Sequence, residues 1–138
     1  MRKTLVVLAV LLLLAVTSAA QGKRKSWLHG SWEGTGYQTD DQSTWPMKLT
    51  IRRSIRGRRA FSIDYPSLSC GGHWQLLSMS QAAAKFREIL DHGQDKCSDK
   101  GLVMIERRGA QLIFLYSNEG THEITASAVL NRRSRPKD

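Results

Sequence analysis

Trp45-Pro46-Met47-Lys48-Leu49-Thr50-Ile51 alternates large apolar with polar or turn-compatible residues. A period of two puts one set of side chains on a buried face and the other in water, the pattern of a half-buried β-strand. The same period returns along the chain. Phe61, Ile63 and Tyr65 alternate with Ser62 and Asp64; Leu112, Phe114 and Tyr116 share one parity; Ile124, Ala126, Ala128 and Leu130 share another. Between these runs lie breakers: Arg56-Gly57, Pro66-Ser67, Asp91-His92-Gly93, Arg108-Gly109 and Asn118-Glu119-Gly120. Arg108-Gly109 sits between Leu102–Arg107 and Ala110–Ser117 at hairpin spacing.

Eight strands follow from this punctuation, at 31–38, 45–53, 59–65, 71–79, 84–90, 101–107, 110–117 and 122–131. Eight short strands joined by tight turns suit a small closed antiparallel up-and-down barrel, which leaves no exposed sheet edge. One segment resists. Gln81 to Leu90 carries Ala82-Ala83-Ala84 and then Phe86, Ile89 and Leu90 at helical spacing, and in isolation it reads as a helix. A helix there would open the sheet and lay a lid on it.

The chain opens with Arg2-Lys3, an apolar run from Leu5 to Val16, and small residues to Ala20. That layout predicts a secretory signal cleaved before Gln21, because the apolar core is shorter than the ~20 residues a membrane span requires. No transmembrane segment is expected after cleavage. Residues 21–27 read as a flexible basic arm, 28–132 as the barrel domain, and 133–138 as a disordered basic tail. The expected location is secreted or periplasmic.

The full chain has 21 Lys+Arg and 12 Asp+Glu; losing Arg2 and Lys3 with the signal leaves a net charge of +7. Charge of this sign favours anionic partners. Arg52, Arg53, Arg56, Arg58 and Arg59 crowd the turn between the second and third strands, and guanidinium forks match phosphates, sulfates and carboxylates. An anionic polymer or membrane surface is one expected partner and a protein the other; nothing points to a specific nucleic acid. A solvated basic turn is the competing reading.

Cys70 and Cys97 are the two cysteines. In an oxidising compartment an even count favours a bridge, and closing residues 70–97 stabilises by about 3.6 kcal/mol in the chain-entropy treatment. Two free thiols, or one used in catalysis, is the alternative. His29, His73, His92 and His122 share no metal-ligand spacing, so no metal is expected. Glu33, Glu88 and Glu106 fall on strands, and Glu88 shares the parity of Phe86. If it points inward, a buried carboxyl there needs an Arg or Tyr partner. No Gly-x-Ser-x-Gly, phosphate loop or Ser/His/Asp order is present, and neither catalysis nor a cofactor is expected.

Gly30-Ser31-Trp32 at the first strand resembles the start of lipocalin-like and avidin-like barrels. That resemblance implies that Trp32 plugs one barrel end and stacks on a basic residue of the last strand, for which Arg132 is the candidate. A second resemblance spans roughly residues 30–131. Tyr65-Pro66-Ser67-Leu68-Ser69-Cys70-Gly71-Gly72, followed by Gly93, Cys97 and Gly101, is similar to a small secreted bacterial module. That module is also found as the outer domain of some membrane-bound serine/threonine kinases. It implies a β-rich domain with a Cys70–Cys97 pair, and loosely a sensing or binding role. Ala82-Ala83-Ala84 departs from its pattern.

Two functions compete on these grounds. One is a secreted non-enzymatic module that binds an anionic envelope component or a small ligand, with Trp27, Trp45 and Trp74 available to line a site. The other is an inhibitor or interaction protein acting on another secreted protein. A lysozyme-type target is opposed by the chain's own basic charge.

Overall fold

A computed structural model describes residues 27–53 and 59–134. It is all-β, with eight strands: β1 Gly30–Gln38, β2 Thr44–Arg53, β3 Arg59–Tyr65, β4 Cys70–Met79, β5 Ala83–His92, β6 Leu102–Arg108, β7 Gln111–Ser117 and β8 Ile124–Arg132. Each pairs antiparallel with its neighbour in sequence, and β8 pairs back onto β1, with Gly34 opposite Leu130. The sheet is a closed up-and-down barrel.

The alternation quoted above determines what fills it. Met47, Leu49 and Ile51 of β2, Phe61 and Ile63 of β3, Leu112 and Phe114 of β7 and Leu130 of β8 are all buried in one core. The residues between them face water, as Lys48, Ser62 and Asp64 do. Tilted and stacked rings, Phe61 with Phe86 and Trp74 with Phe114, add edge-to-face and offset contacts within that core.

The ambiguous segment is a strand. Ala84, Phe86, Glu88 and Leu90 are buried in strict alternation, and Ala84 stands opposite Ile105 of β6. Helix propensity loses here because a helix would leave the edges of β4 and β6 unpaired; as a strand, β5 closes both. Ser80 turns the chain into it, its Oγ accepting from the backbone N–H groups of Ala82 and Ala83. The last strand starts later than the periodicity predicts, at Ile124, so His122 and Glu123 belong to the loop before it.

The two barrel ends differ. At one, Trp32 is buried with its indole N–H donating to Leu28 O (2.9 Å), and the Arg132 guanidinium lies 4.3 Å from the Trp32 ring centroid. Arg132 also donates to His29 O (2.6 Å) and Trp27 O (3.4 Å). Trp27, placed in the arm by its sequence surroundings, packs against the core and donates to Ser80 O. Residues 27–29 therefore cap this end. Gly30 makes the arrangement possible: it has φ +127°, and a Cβ there would lie 2.5 Å from Arg132 Nη1. The signal, residues 21–26 of the arm and residues 135–138 of the tail fall outside the described residues, while Arg133, read as the start of the tail, donates its backbone N–H to Ser31 O (2.9 Å).

At the opposite end the β1–β2, β3–β4, β5–β6 and β7–β8 connections surround an open mouth. Cys70, at the start of β4, is bonded to Cys97 in the β5–β6 loop, and no free cysteine remains. Pro66 opens a short 3₁₀ turn, Pro66–Leu68, that carries β3 into β4. Gly71 and Gly72 follow in extended backbone rather than a left-handed one. A Cβ on Gly72 would meet Ile89 O at 2.1 Å, so close approach of β4 to β5 excludes a side chain there.

Candidate functional site: the barrel mouth

A cavity of about 300 Å³ enters the barrel through the mouth. That is the lower end of the range for small-molecule sites. Its walls come from nearly every strand end: Gln38 of β1, Trp45 of β2, Tyr65 of β3, Phe114 and Tyr116 of β7, Ala126 of β8, with Asp40, Asp41, Lys96 and Ser98 from the loops. The room exists because two neighbouring strands are nearly bare on the inside. Gly36 of β1 stands opposite Ala128 of β8, and Gln38 opposite Ala126. Trp45 lies over Gly36 so closely that a Cβ there would meet its ring at 2.6 Å.

Glu88 lines this cavity from β5 and is only 2% exposed. Its Oε2 accepts two hydrogen bonds, from the Tyr65 hydroxyl (2.6 Å) and the Trp74 indole N–H (2.7 Å). Its other oxygen, Oε1, has no hydrogen-bond partner among the described residues, and no Lys or Arg there forms an ion pair with it. Burial raises the Glu88 pKa above the ordinary glutamate value; the two donors oppose that rise, and Asp99 adds to it. Tyr65 is pushed well above the usual phenol range by burial and by the Glu88 charge, so it stays a donor throughout the physiological range. Among the described residues the one fully buried side-chain polar atom without a partner is Trp45 Nε1.

The β5–β6 loop over the mouth is held at several points. Asp99 Oδ1 accepts from the backbone N–H groups of Leu90 and Lys100 (2.9 and 2.8 Å). Gln94 donates to Leu90 O (2.8 Å), and Tyr116 donates to Ser98 O (3.3 Å) from across the opening. With the disulfide, these contacts fix one wall of the site before any ligand arrives.

The topology sorts charge between the two ends. Asp40, Asp41, Asp91, Asp95, Asp99, Glu119 and Glu123 lie in the mouth loops or on the strand ends beside them, against Lys96 and Lys100. Asp91 contacts His73 (3.0 Å) and Glu119 pairs with Arg87 (3.0 Å). Arg52, Arg53, Arg59, Arg107, Arg108, Arg132 and Arg133 lie at or beside strand ends on the capped side. Arg53 stands opposite Arg59 in the β2–β3 register. Arg56 and Arg58 lie outside the described residues.

The structure places the other candidates apart from the cavity. Glu33 is exposed and Glu106 is half-buried, so of the three strand glutamates only Glu88 is buried inside the barrel. All four histidines are exposed, and no cluster of three metal-ligating side chains occurs among the described residues. Trp45 and Trp74 are core residues that also shape the site, while Trp27 belongs to the capped end. No helix of the described residues is long and apolar enough to cross a membrane. Comparison with known proteins finds no matching family model, no matching curated protein and no matching solved structure.

Proposed function

We propose that this chain is a non-enzymatic binding module of the extracytoplasmic space that holds a small ligand in the mouth of its barrel. The observation that carries this reading is the mouth cavity itself. Four aromatic side chains, Trp45, Tyr65, Phe114 and Tyr116, line it among polar neighbours, with one buried carboxyl held by two donors and its other oxygen without a donor among the described residues. Aromatic surface beside precisely placed polar groups is a common lining of a small-molecule site. The disulfide suits an oxidising compartment, and the resemblance to a small secreted bacterial module points the same way.

Native mass spectrometry of the protein exported by its own host tests this, run beside Ala126→Phe, which fills the cavity from β8. The expected result is a bound small mass on the native protein that the folded variant lacks. If neither carries a mass, and no metabolite raises the melting temperature of the native protein, the reading is wrong.

The collection of arginines at the capped end supports a second, compatible role: docking on an anionic polymer or membrane surface, with the mouth directed away from it. Retention on a polyanion column to well above physiological salt is expected. Changing Arg52, Arg53, Arg56, Arg58 and Arg59 to Ser should bring elution forward. Equal elution at low salt would mark the arginines as a solvated face and move the search for a partner to another secreted protein.

A further inference from the structure

We propose that the mouth cavity takes a small organic cation, a protonated amine or alkylammonium on an apolar body, with Glu88 as its counter-charge. This rests on the small-ligand reading above and names the chemical class of the ligand.

Four observations converge on it. The first is the carboxyl at the inner wall. Glu88 is 2% exposed, and Tyr65 and Trp74 both bond the same oxygen, Oε2. They hold the group in one orientation and leave Oε1 without a hydrogen-bond donor among the described residues. A buried carboxylate with one oxygen served and no cationic partner is incompletely compensated. An N–H⁺ group supplies both the donor and the charge.

The second is the wall. Phe114 and Tyr116 lie 6.5 Å apart in near-parallel rings, and Trp45 faces the same cavity. Aromatic faces attract a desolvated cation through their quadrupoles and have no comparable attraction for an anion. The third is the rim. Asp40 and Asp41 line the entrance, and the mouth loops carry more acid than base although the whole chain is strongly basic. Their field draws cations in and repels anions. The fourth is size: about 300 Å³ admits a small amine and excludes a polymer.

The anionic partners favoured by net charge are therefore directed to the capped end, and the mouth selects the opposite sign. The groups facing Glu88 or the space beside it are Tyr65 from β3, Tyr116 from β7 and Asp99 from the β5–β6 loop, with Lys96, Asp40 and Asp41 on the cavity wall. Lys96 is the single cation in that set, and it forms no ion pair with Glu88.

Calorimetric titration with three probes of one shape tests the inference: phenethylammonium, 2-phenylethanol and phenylacetate, on the purified protein and on Glu88→Gln. The glutamine keeps an oxygen for Tyr65 and Trp74 to bond, so the variant isolates charge from fold. Phenethylammonium is expected to bind about ten- to a hundredfold more tightly than the alcohol, the range of a charged hydrogen bond. Phenylacetate is expected not to bind. In Glu88→Gln the preference for the cation should collapse while the alcohol's affinity is retained. Should the alcohol or phenylacetate bind best, the cavity remains a ligand site and the cationic class is wrong. Should none of the three bind, while native mass spectrometry also finds no ligand, the underlying reading fails with it. A Glu88→Gln variant that keeps the full cation preference would also overturn the assignment.

Discussion

The Tyr65 hydroxyl donates to Glu88 Oε2 at 2.6 Å across the inside of the barrel, joining residues 23 apart in sequence on strands that do not neighbour each other. β3 and β5 are linked through β4, whose Trp74 bonds the same oxygen at 2.7 Å. Three consecutive strands thus converge on one carboxyl.

Replacing Tyr65 with Phe keeps the ring in the core and removes one of those bonds. A bond to a charged acceptor contributes about 1.5–3 kcal/mol, and the exchange is expected to cost that much at neutral pH. Urea unfolding at pH 7 measures it. A loss within error of zero would show that the hydroxyl does not serve the carboxyl.

The raised Glu88 pKa sets the sign of a pH effect. The folded protein holds this proton more tightly than the unfolded chain does, so the penalty of the buried charge is complete above the folded pKa. It is absent below the ordinary glutamate value. Acidification through the interval between the two should stabilise the native protein relative to Glu88→Gln. Paired unfolding curves from pH 8 to pH 4 check this; a difference that grows in the opposite direction refutes it.

Changing both Cys70 and Cys97 to Ser should lower stability by about 2–4 kcal/mol. It should also loosen the wall of the cavity to which Cys97 and Ser98 contribute. Denaturant midpoints report the first effect. Hydrogen exchange at residues 94–100 reports the second, with faster exchange expected there than in β7.

At the capped end, Gly30→Ala and Arg132→Ala should not add. Alanine at position 30 suffers its φ of +127° and displaces the guanidinium that would lie 2.5 Å from its Cβ. The stacking and hydrogen bonds of Arg132 are then already disturbed, and removing that side chain costs less than in the native protein. A double-mutant cycle should give a coupling of about 0.5–1 kcal/mol, the scale of an exposed cation–π contact. Strict additivity would separate the glycine from the plug.

Much of the architecture is legible in the sequence, because a half-buried strand writes its period of two directly into the chain. Residues 45–51 and 110–117 carry that signal without ambiguity. Ala82-Ala83-Ala84 did not, because alanine favours a helix locally and only the open edges of β4 and β6 demand a strand. Glu88 shares the parity of Phe86, which makes it a candidate for an inward carboxyl in need of a Tyr or Arg. The partnership of Trp74 was not visible, because indoles in cores are common and the pairing depends on register.

By itself, then, the order of residues determined seven of the eight strands and pointed to a small up-and-down barrel with its two cysteines bridged, for these follow from local periodicity, turn chemistry and an even thiol count. The tertiary structure alone decided which ends of the strands meet. Closure carries every even turn to one end and every odd turn to the other. It thereby gathers arginines from β2, β3, β6 and β8 around the cap and carboxylates from three connections around the mouth. The cavity, its buried glutamate and the opposite charge of the two ends depend on distances between residues far apart in the chain, and no local pattern encodes those.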